Sequence, residues 1–249
     1  MMLENRDMML ENKVAVVYGA RGAIGGAVAR AFTREGARVY GASREDVDAL
    51  DEAAIDRHLD AVMAEAGRID ISFNAIGLPE VELVGSALTE MSPAMFERPI
   101  AAYVTSYFLT ARLAARRMLA QRSGVIMTVT ALTSRQGTPL NGGYGASQAA
   151  KEALTRDLSA ELAPHGIRVV GLRAHALPDS GTIAEVHALK ANATGQSWEQ
   201  FRDRLIGSTH PRRALRAEEV ADVAAFLASD RAAPLTGTAV NLSMGALAD

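Results

Sequence analysis

Short unbroken apolar runs alternate along this chain with stretches whose apolar residues recur every three or four positions. Val14-Ala-Val-Val17 is one such run, as expected of a strand buried on both faces of a parallel sheet. Beyond it Ile24, Ala27, Val28, Ala31 and Phe32 fall at helical spacing. The pattern then predicts a strand over residues 38–42 and a helix over 53–66, with Ile55, Leu59 and Val62 on one face and Gly67 as its stop. A strand over 69–73, a long helix over 96–120 and a strand over 125–129 follow. After them come a helix over 145–163 closed by Pro164, a strand over 167–172, a helix over 218–228 and a last strand over 238–242. Alternation of this kind implies right-handed βαβ crossovers, hence an α/β fold with a doubly wound parallel sheet. No repeat, linker or composition shift marks a boundary, so a single domain over residues 13–249 is expected.

Composition removes several function classes. The 249 residues are 49% hydrophobic and 22% charged, with a net charge of −3 that offers no reason to expect a nucleic-acid partner. Without cysteine there is no disulfide, thiolate nucleophile or zinc–thiolate site. The five histidines lack metal-ligand spacing, so no metal is expected. No apolar stretch reaches the roughly 18 residues of a membrane span, and the expected location is cytoplasmic. MMLEN occurs at residues 1–5 and again at 8–12, and the charges in both copies fit no secretory segment. Residues 1–12 read as a flexible tail.

The first strand-to-helix turn is Tyr18-Gly-Ala-Arg-Gly-Ala-Ile-Gly25. Glycines there let backbone N–H groups approach a pyrophosphate at a helix N-terminus, although any such turn can use glycine for a positive φ. The segment resembles the TGxxxGxG turn of the short-chain dehydrogenase/reductase superfamily. Asn74-Ala-Ile-Gly77 is similar to that family's NNAG motif and Gly166-Ile-Arg-Val169 to its GIRV strand. Arg216-Ala-Glu-Glu-Val220, Phe226-Leu-Ala-Ser-Asp230 and Leu235-Thr-Gly237 resemble its closing helix and the turn behind it. The resemblance runs from about residue 13 to 245 and implies a Rossmann-like domain, usually a homo-oligomer (dimer or tetramer), that acts on a small-molecule substrate. It also implies a dinucleotide held by Gly19, Arg21, Gly22, Ile24, Gly25, Asn74, Ala75 and Ile76. There are departures. Tyr18 replaces Thr, Gly22 comes one place early and leaves Ala23 in a glycine slot, and the chain between Arg44 and Asp48 is too short for the usual helix and edge strand.

An NAD site places a carboxylate at the end of the second strand, whereas NADP favours cations. That position is Ser43, followed by Arg44, and Arg21 adds charge from the turn, so NADP(H) is expected over NAD(H). Arg44 also reads as a simple solvated residue at a loop start. Asp48-Ala49 matches the family's adenine-contacting pair, or else Asp48 opens a helix.

The family's Asn-Ser-Tyr-Lys set is mostly replaced. Tyr144 is in place, but the Lys position four residues on is Gln148, the Ser position is Ala131, the Asn position is Tyr103, and Ala174-His175 replaces a Pro-Gly. Lys151 lies seven residues after Tyr144, on the same helix face. This Tyr-x6-Lys spacing resembles the enoyl-acyl-carrier-protein reductase branch, in which the lysine holds the nicotinamide ribose; otherwise Lys151 is a solvated helix residue. The expected chemistry is hydride transfer to a carbonyl or activated alkene, with Tyr144 as proton donor, Lys151 as ribose and phenolate partner, Gln148 near the ribose, and Thr133 in place of the lost serine. Thr130 is expected to point to the other face of its strand. Residues 175–213 are expected to form a substrate lid in which Trp198 packs. Two alternatives stand beside this reading: a catalytically silent dinucleotide-binding or scaffold protein, and a cofactor-independent lyase with Tyr144 as base.

Overall fold

The computed structural model describes residues 8–77, 85–175, 177–178 and 181–248, with the backbone alone at 181–183, 186 and 187. Residues 1–7 of the expected tail and 176, 179 and 180 of the expected lid lie outside the described residues. Six strands form one parallel sheet in the order β2-β1-β3-β4-β5-β6. They are β1 (Val14–Tyr18), β2 (Arg38–Ala42), β3 (Ile71–Asn74), β4 (Gly124–Ala131), β5 (Ile167–Ala174) and β6 (Thr238–Leu242). The chain runs from β2 through a loop straight into α2 (Glu52–Ala66), so β2 is an edge, as the short segment after Arg44 predicts.

Alternate strand residues feed two cores. Ala15, Val17, Ile71, Phe73, Val170 and Leu172 pack under α1 (Ala23–Arg34) and α8 (Ala217–Ala228). Val14, Val16, Ile126 and Val169 pack under α2, α4 (Ser106–Gln121) and α5 (Tyr144–Leu162). Burial on both faces explains why these strands read as continuous apolar runs. The strand expected from residue 69 begins at Ile71, because the buried Asp70 side chain instead takes the Val14 N–H at 2.8 Å and a bidentate contact from Arg68. The expected tail is docked from Met8 onward: Leu10 is fully buried and its N–H bonds the Glu35 carbonyl.

The single long helix expected over 96–120 is three segments. A short helix α3 (Pro93–Pro99) gives way to π-helical turns over Ile100–Thr105 and only then to α4. Pro99 supplies the cause, since it has no N–H for the α-helical ladder and its ring crowds the preceding turn. Residues 181–193 and 198–207 of the expected lid form α6 (Gly181–Ala193) and α7 (Trp198–Gly207), and Trp198 stacks on Phe201 at 6.5 Å between ring centroids.

Candidate active site

Strand order reverses between β1 and β3, and at that point the carboxyl ends of both strands carry the predicted motifs. Gly19 has φ +81°, and a Cβ on it would meet the Ala75 carbonyl oxygen at 2.6 Å. A Cβ on Gly25 would stand 2.2 Å from the Gly19 carbonyl oxygen. Both glycines are therefore required for the turn to close against α1 and the Asn74-Ala-Ile segment. Gly22 is the N-cap of α1 and provides no side-chain cap; the first helical bond runs from Gly26 N–H to Gly22. Among the described residues the helix thus opens on N–H groups with no side-chain cap, and Ala23, in the glycine slot, is exposed. Asn74 is a brace beneath the turn: its side chain is buried, donates to Thr110 Oγ1 at 3.0 Å and accepts the Ile76 N–H. Ala75 and Ile76 stay half-exposed above it.

The adenosine end differs from the expectation at Arg21. Its guanidinium pairs with Glu45 and lies 3.6 Å from Asp46, so its charge is locally compensated. Asp46 also accepts the Ser43 hydroxyl (2.6 Å) and N–H (2.9 Å). Arg44 is exposed and makes no ion pair among the described residues. Asp48 accepts the Leu50 N–H in a local turn, and Asp51 rather than Asp48 caps α2. Tyr18, in the threonine position, is buried edge-on to His58 at 5.8 Å, with no partner for its hydroxyl among the described residues. Burial pushes the Tyr18 phenol up and the His58 imidazole down.

Beyond the carboxyl end of the neighbouring strand β4, Tyr144 opens α5 and is half-buried, and its chain neighbours Gly142 and Gly145 line a cleft of about 300 Å³ together with Thr133, Ser134, Arg135 and Asn141. Gly143 allows this approach: a Cβ there would lie 2.3 Å from the Phe96 carbonyl oxygen and 2.9 Å from Pro99 Cγ. The π-helical turns consequently deliver Tyr103, the residue at the family's asparagine position, edge-on to Tyr144 at 5.5 Å between centroids.

A family model described as enoyl-(acyl carrier protein) reductase matches residues 40–246. Sorbitol-6-phosphate 2-dehydrogenase of Klebsiella pneumoniae is 29% identical over 262 residues, covering 97% of this chain and 98% of the relative. The chain belongs to the short-chain dehydrogenase/reductase superfamily. It is similar also to the 3-oxoacyl-[acyl-carrier-protein] reductase of Escherichia coli strain K12, at 25% identity over 96% of this chain and 98% of that one. The crystal structure of an NAD+-bound xylitol dehydrogenase superposes with a TM-score of 0.87 at 26% identity, covering 93% of this chain and 98% of the other. The protein is accordingly a short-chain oxidoreductase of the nicotinamide-dinucleotide class, and the glycine turn at an uncapped helix end fits that cofactor.

Within this short-chain oxidoreductase, Lys151 is neither solvated nor turned outward. It does share a face with Tyr144, since both side chains pack on Tyr103, but its ammonium is fully buried. The Nζ donates to the Val129 carbonyl at 2.7 Å and lies 5.8 Å from the ring centroids of both Tyr103 and Tyr107. Burial lowers its pKa from 10.5 to about 7. Gln148 is also buried, with Nε2 3.5 Å from Ser147 Oγ. Thr133 Oγ1 is buried and has no hydrogen-bond partner among the described residues.

Sequence reasoning missed a buried cluster immediately behind the cleft. Arg173 at the end of β5 donates from Nε to Glu152 Oε1 (2.8 Å) and from Nη2 to Oε2 (2.9 Å). Ser134 (2.6 Å) and Thr130 (3.0 Å) donate to the same Oε1, so the Thr130 side chain lies on the face covered by α5. Burial alone would raise the Glu152 carboxyl, but the hydrogen bonds from Arg173, Ser134 and Thr130 outweigh it and hold the pKa below the ordinary value. Adjacent long polar side chains at 152 and 173, on elements the sequence predicts to neighbour each other, were the available signal. His175, where the family has glycine, bonds Ser208 Oγ at 3.0 Å and so ties the end of β5 to the residue after α7.

Proposed function

We propose that this enzyme is an NADP(H)-dependent reductase of a carbonyl or activated alkene, with Tyr144 as its proton donor. The observation that carries the reading is the half-buried Tyr144 at the start of α5, backed by Tyr103, in a segment whose residues on either side line the cleft. Bound NADPH supplies hydride to the electrophilic carbon. Tyr144 donates a proton to the oxygen on which negative charge develops, and Lys151, behind Tyr103, adds positive potential. Thr133, whose hydroxyl has no hydrogen-bond partner among the described residues, is the second donor to that oxygen in place of the missing serine. Gln148 serves the ribose hydroxyls as a neutral hydrogen-bonding group. With Arg21 engaged by Glu45, preference for the 2′-phosphate rests on Arg44. The NAD+ carried by the related xylitol dehydrogenase makes NAD(H) the second reading. A homo-oligomer, dimer or tetramer, in the cytoplasm completes the proposal; Phe108 and Leu119, exposed on α4, are apolar surface available for association.

Fluorescence titration with NADPH and NADH tests the cofactor assignment. NADPH is expected to bind more tightly, and Arg44→Ala to narrow the difference; equal affinities in the parent would refute the role of Arg44. Tyr144→Phe is expected to leave binding nearly intact and to lower turnover by orders of magnitude on any accepted carbonyl or enone. Unchanged turnover would remove Tyr144 from the mechanism.

A further inference from the structure

The cleft flanked by the Tyr144 segment is polar throughout. Of the ten described residues that line it, six carry polar or charged side chains, three are glycines, and the one apolar residue is Ala146. Ligand sites are ordinarily lined by apolar and aromatic side chains, and about 300 Å³ is at the small end of their range. Three lining residues show what such a cleft offers. Ser134 has its hydroxyl proton committed to Glu152 Oε1 at 2.6 Å, and the Arg173 guanidinium holds Glu152 ionised, so the serine keeps only its lone pairs for a ligand. Asn141 has its Oδ1 taken by Lys190 Nζ at 2.5 Å and offers the N–H groups of its amide. Arg135 is exposed, and its guanidinium makes no hydrogen bond or ion pair among the described residues.

We propose that this cleft selects a small hydroxylated carbonyl compound that carries an anionic group, a phosphate ester or a carboxylate. As a substrate class it rests on the reductase reading, in which Tyr144 and Thr133 serve the carbonyl oxygen. Ser134, next in the chain to Thr133, then accepts a hydrogen bond from a hydroxyl of the same molecule. A ligand without that hydroxyl leaves the serine oxygen unpaired against it, which is how a site built for a hydroxyl rejects the analogue that lacks one. Arg135 follows Ser134 and pairs with the anion, since its planar fork suits phosphate and carboxylate alike. Among the described residues no carboxylate lines the cleft to repel that anion; Glu152 lies behind Ser134 and is bound by Arg173. An acyl chain or a fused-ring hydrocarbon meets no apolar wall here, so its burial gains little.

The test uses dihydroxyacetone, dihydroxyacetone phosphate, hydroxypyruvate and cyclohexanone as probes. Calorimetric titration of each, without nucleotide and with saturating NADP+, measures binding, and initial rates of NADPH oxidation with the same compounds measure reduction. At least one of the two anionic probes is expected to bind about tenfold more tightly than dihydroxyacetone, and cyclohexanone more weakly than any of them. The tighter of the two identifies the anion as a phosphate ester or a carboxylate. Arg135→Gln should erase the advantage of the anions and leave dihydroxyacetone unchanged. Ser134→Ala should weaken the hydroxylated probes by about fivefold and leave cyclohexanone unchanged. Far-ultraviolet circular dichroism checks that both variants are folded. Cyclohexanone bound as tightly as the anions, no binding of any probe, or an anion preference that survives Arg135→Gln would overturn the proposal. Binding in the expected order without NADPH oxidation would instead refute the reductase reading and leave the ligand class of the cleft in place.

Discussion

Replacing Lys151 by methionine should make the protein more stable and the enzyme worse. The two side chains are similar in length, and the site is fully enclosed by Val129, Tyr103 and Tyr107. Holding the ammonium there lowers its pKa from 10.5 to about 7. At about 1.4 kcal/mol per pH unit, this is a penalty of about 4 kcal/mol at neutral pH. Methionine removes that penalty but also removes the bond to the Val129 carbonyl, worth about 1 kcal/mol net. A gain of about 3 kcal/mol remains, or roughly 6–12 °C in Tm for a chain of this size. The pH dependence identifies the cause. Between about pH 7 and 10.5 the unfolded chain binds a proton that the folded one has released, so the parent's stability rises with pH through this window. The penalty is full below pH 7 and falls to about 1 kcal/mol near pH 9.5, so the advantage of Lys151→Met should shrink by about 3 kcal/mol between those conditions. Urea unfolding of both proteins at about pH 6 and pH 9.5, followed by circular dichroism, measures the difference directly. A constant offset at the two pH values would refute the account, and so would a variant less stable than the parent at pH 7. On the proposed role of Lys151 behind Tyr103, reductase turnover should fall as stability rises.

Glu152→Gln removes the carboxylate paired with the buried Arg173 and should cost about 3–5 kcal/mol at neutral pH by denaturant unfolding. Since the Glu152 pKa is depressed, its contribution is present above the unfolded carboxylate value of about 4.3 and is lost as pH falls through the folded value. The difference between parent and variant should therefore close in acid, and an undiminished difference there would refute the pairing. Gly143→Ala should destabilise by about 1–3 kcal/mol, because its Cβ would lie 2.3 Å from a backbone oxygen that must move. The same movement separates Tyr144 from Tyr103, so turnover should fall more than melting alone explains, and a fully active variant would refute the contact. Asp70→Ala leaves the Val14 N–H unpaired inside the sheet and should cost about 1–3 kcal/mol in thermal melts. An unchanged Tm would refute that role.

Periodicity and turn chemistry operate over a few residues, and what depends on them was legible in the chain. The apolar run at β1, the glycines that close the turn at Gly19 and Gly25, the missing strand after Arg44 and the helix beginning at Tyr144 all follow from local pattern. Even the shared face of Tyr144 and Lys151 follows from helical geometry alone. What that face meets does not. Pro99 breaks the facing helix into π-helical turns, and these bring Tyr103 between the two residues. Lysine's ordinary place is solvent, yet here packing by α4 and β4 encloses it and changes its protonation. The charge of Arg21, read from sequence as free for a phosphate, is taken by Glu45, 24 residues away. Glu152 meets Arg173 across 21 positions, and Lys190 meets Asn141 across 49. Such encounters depend on which strands adjoin and which helices cover them. Only the folded topology can therefore decide the charge around the tyrosine, because the energy of an ammonium or carboxylate depends on its partners and its access to water rather than on its neighbours in the chain.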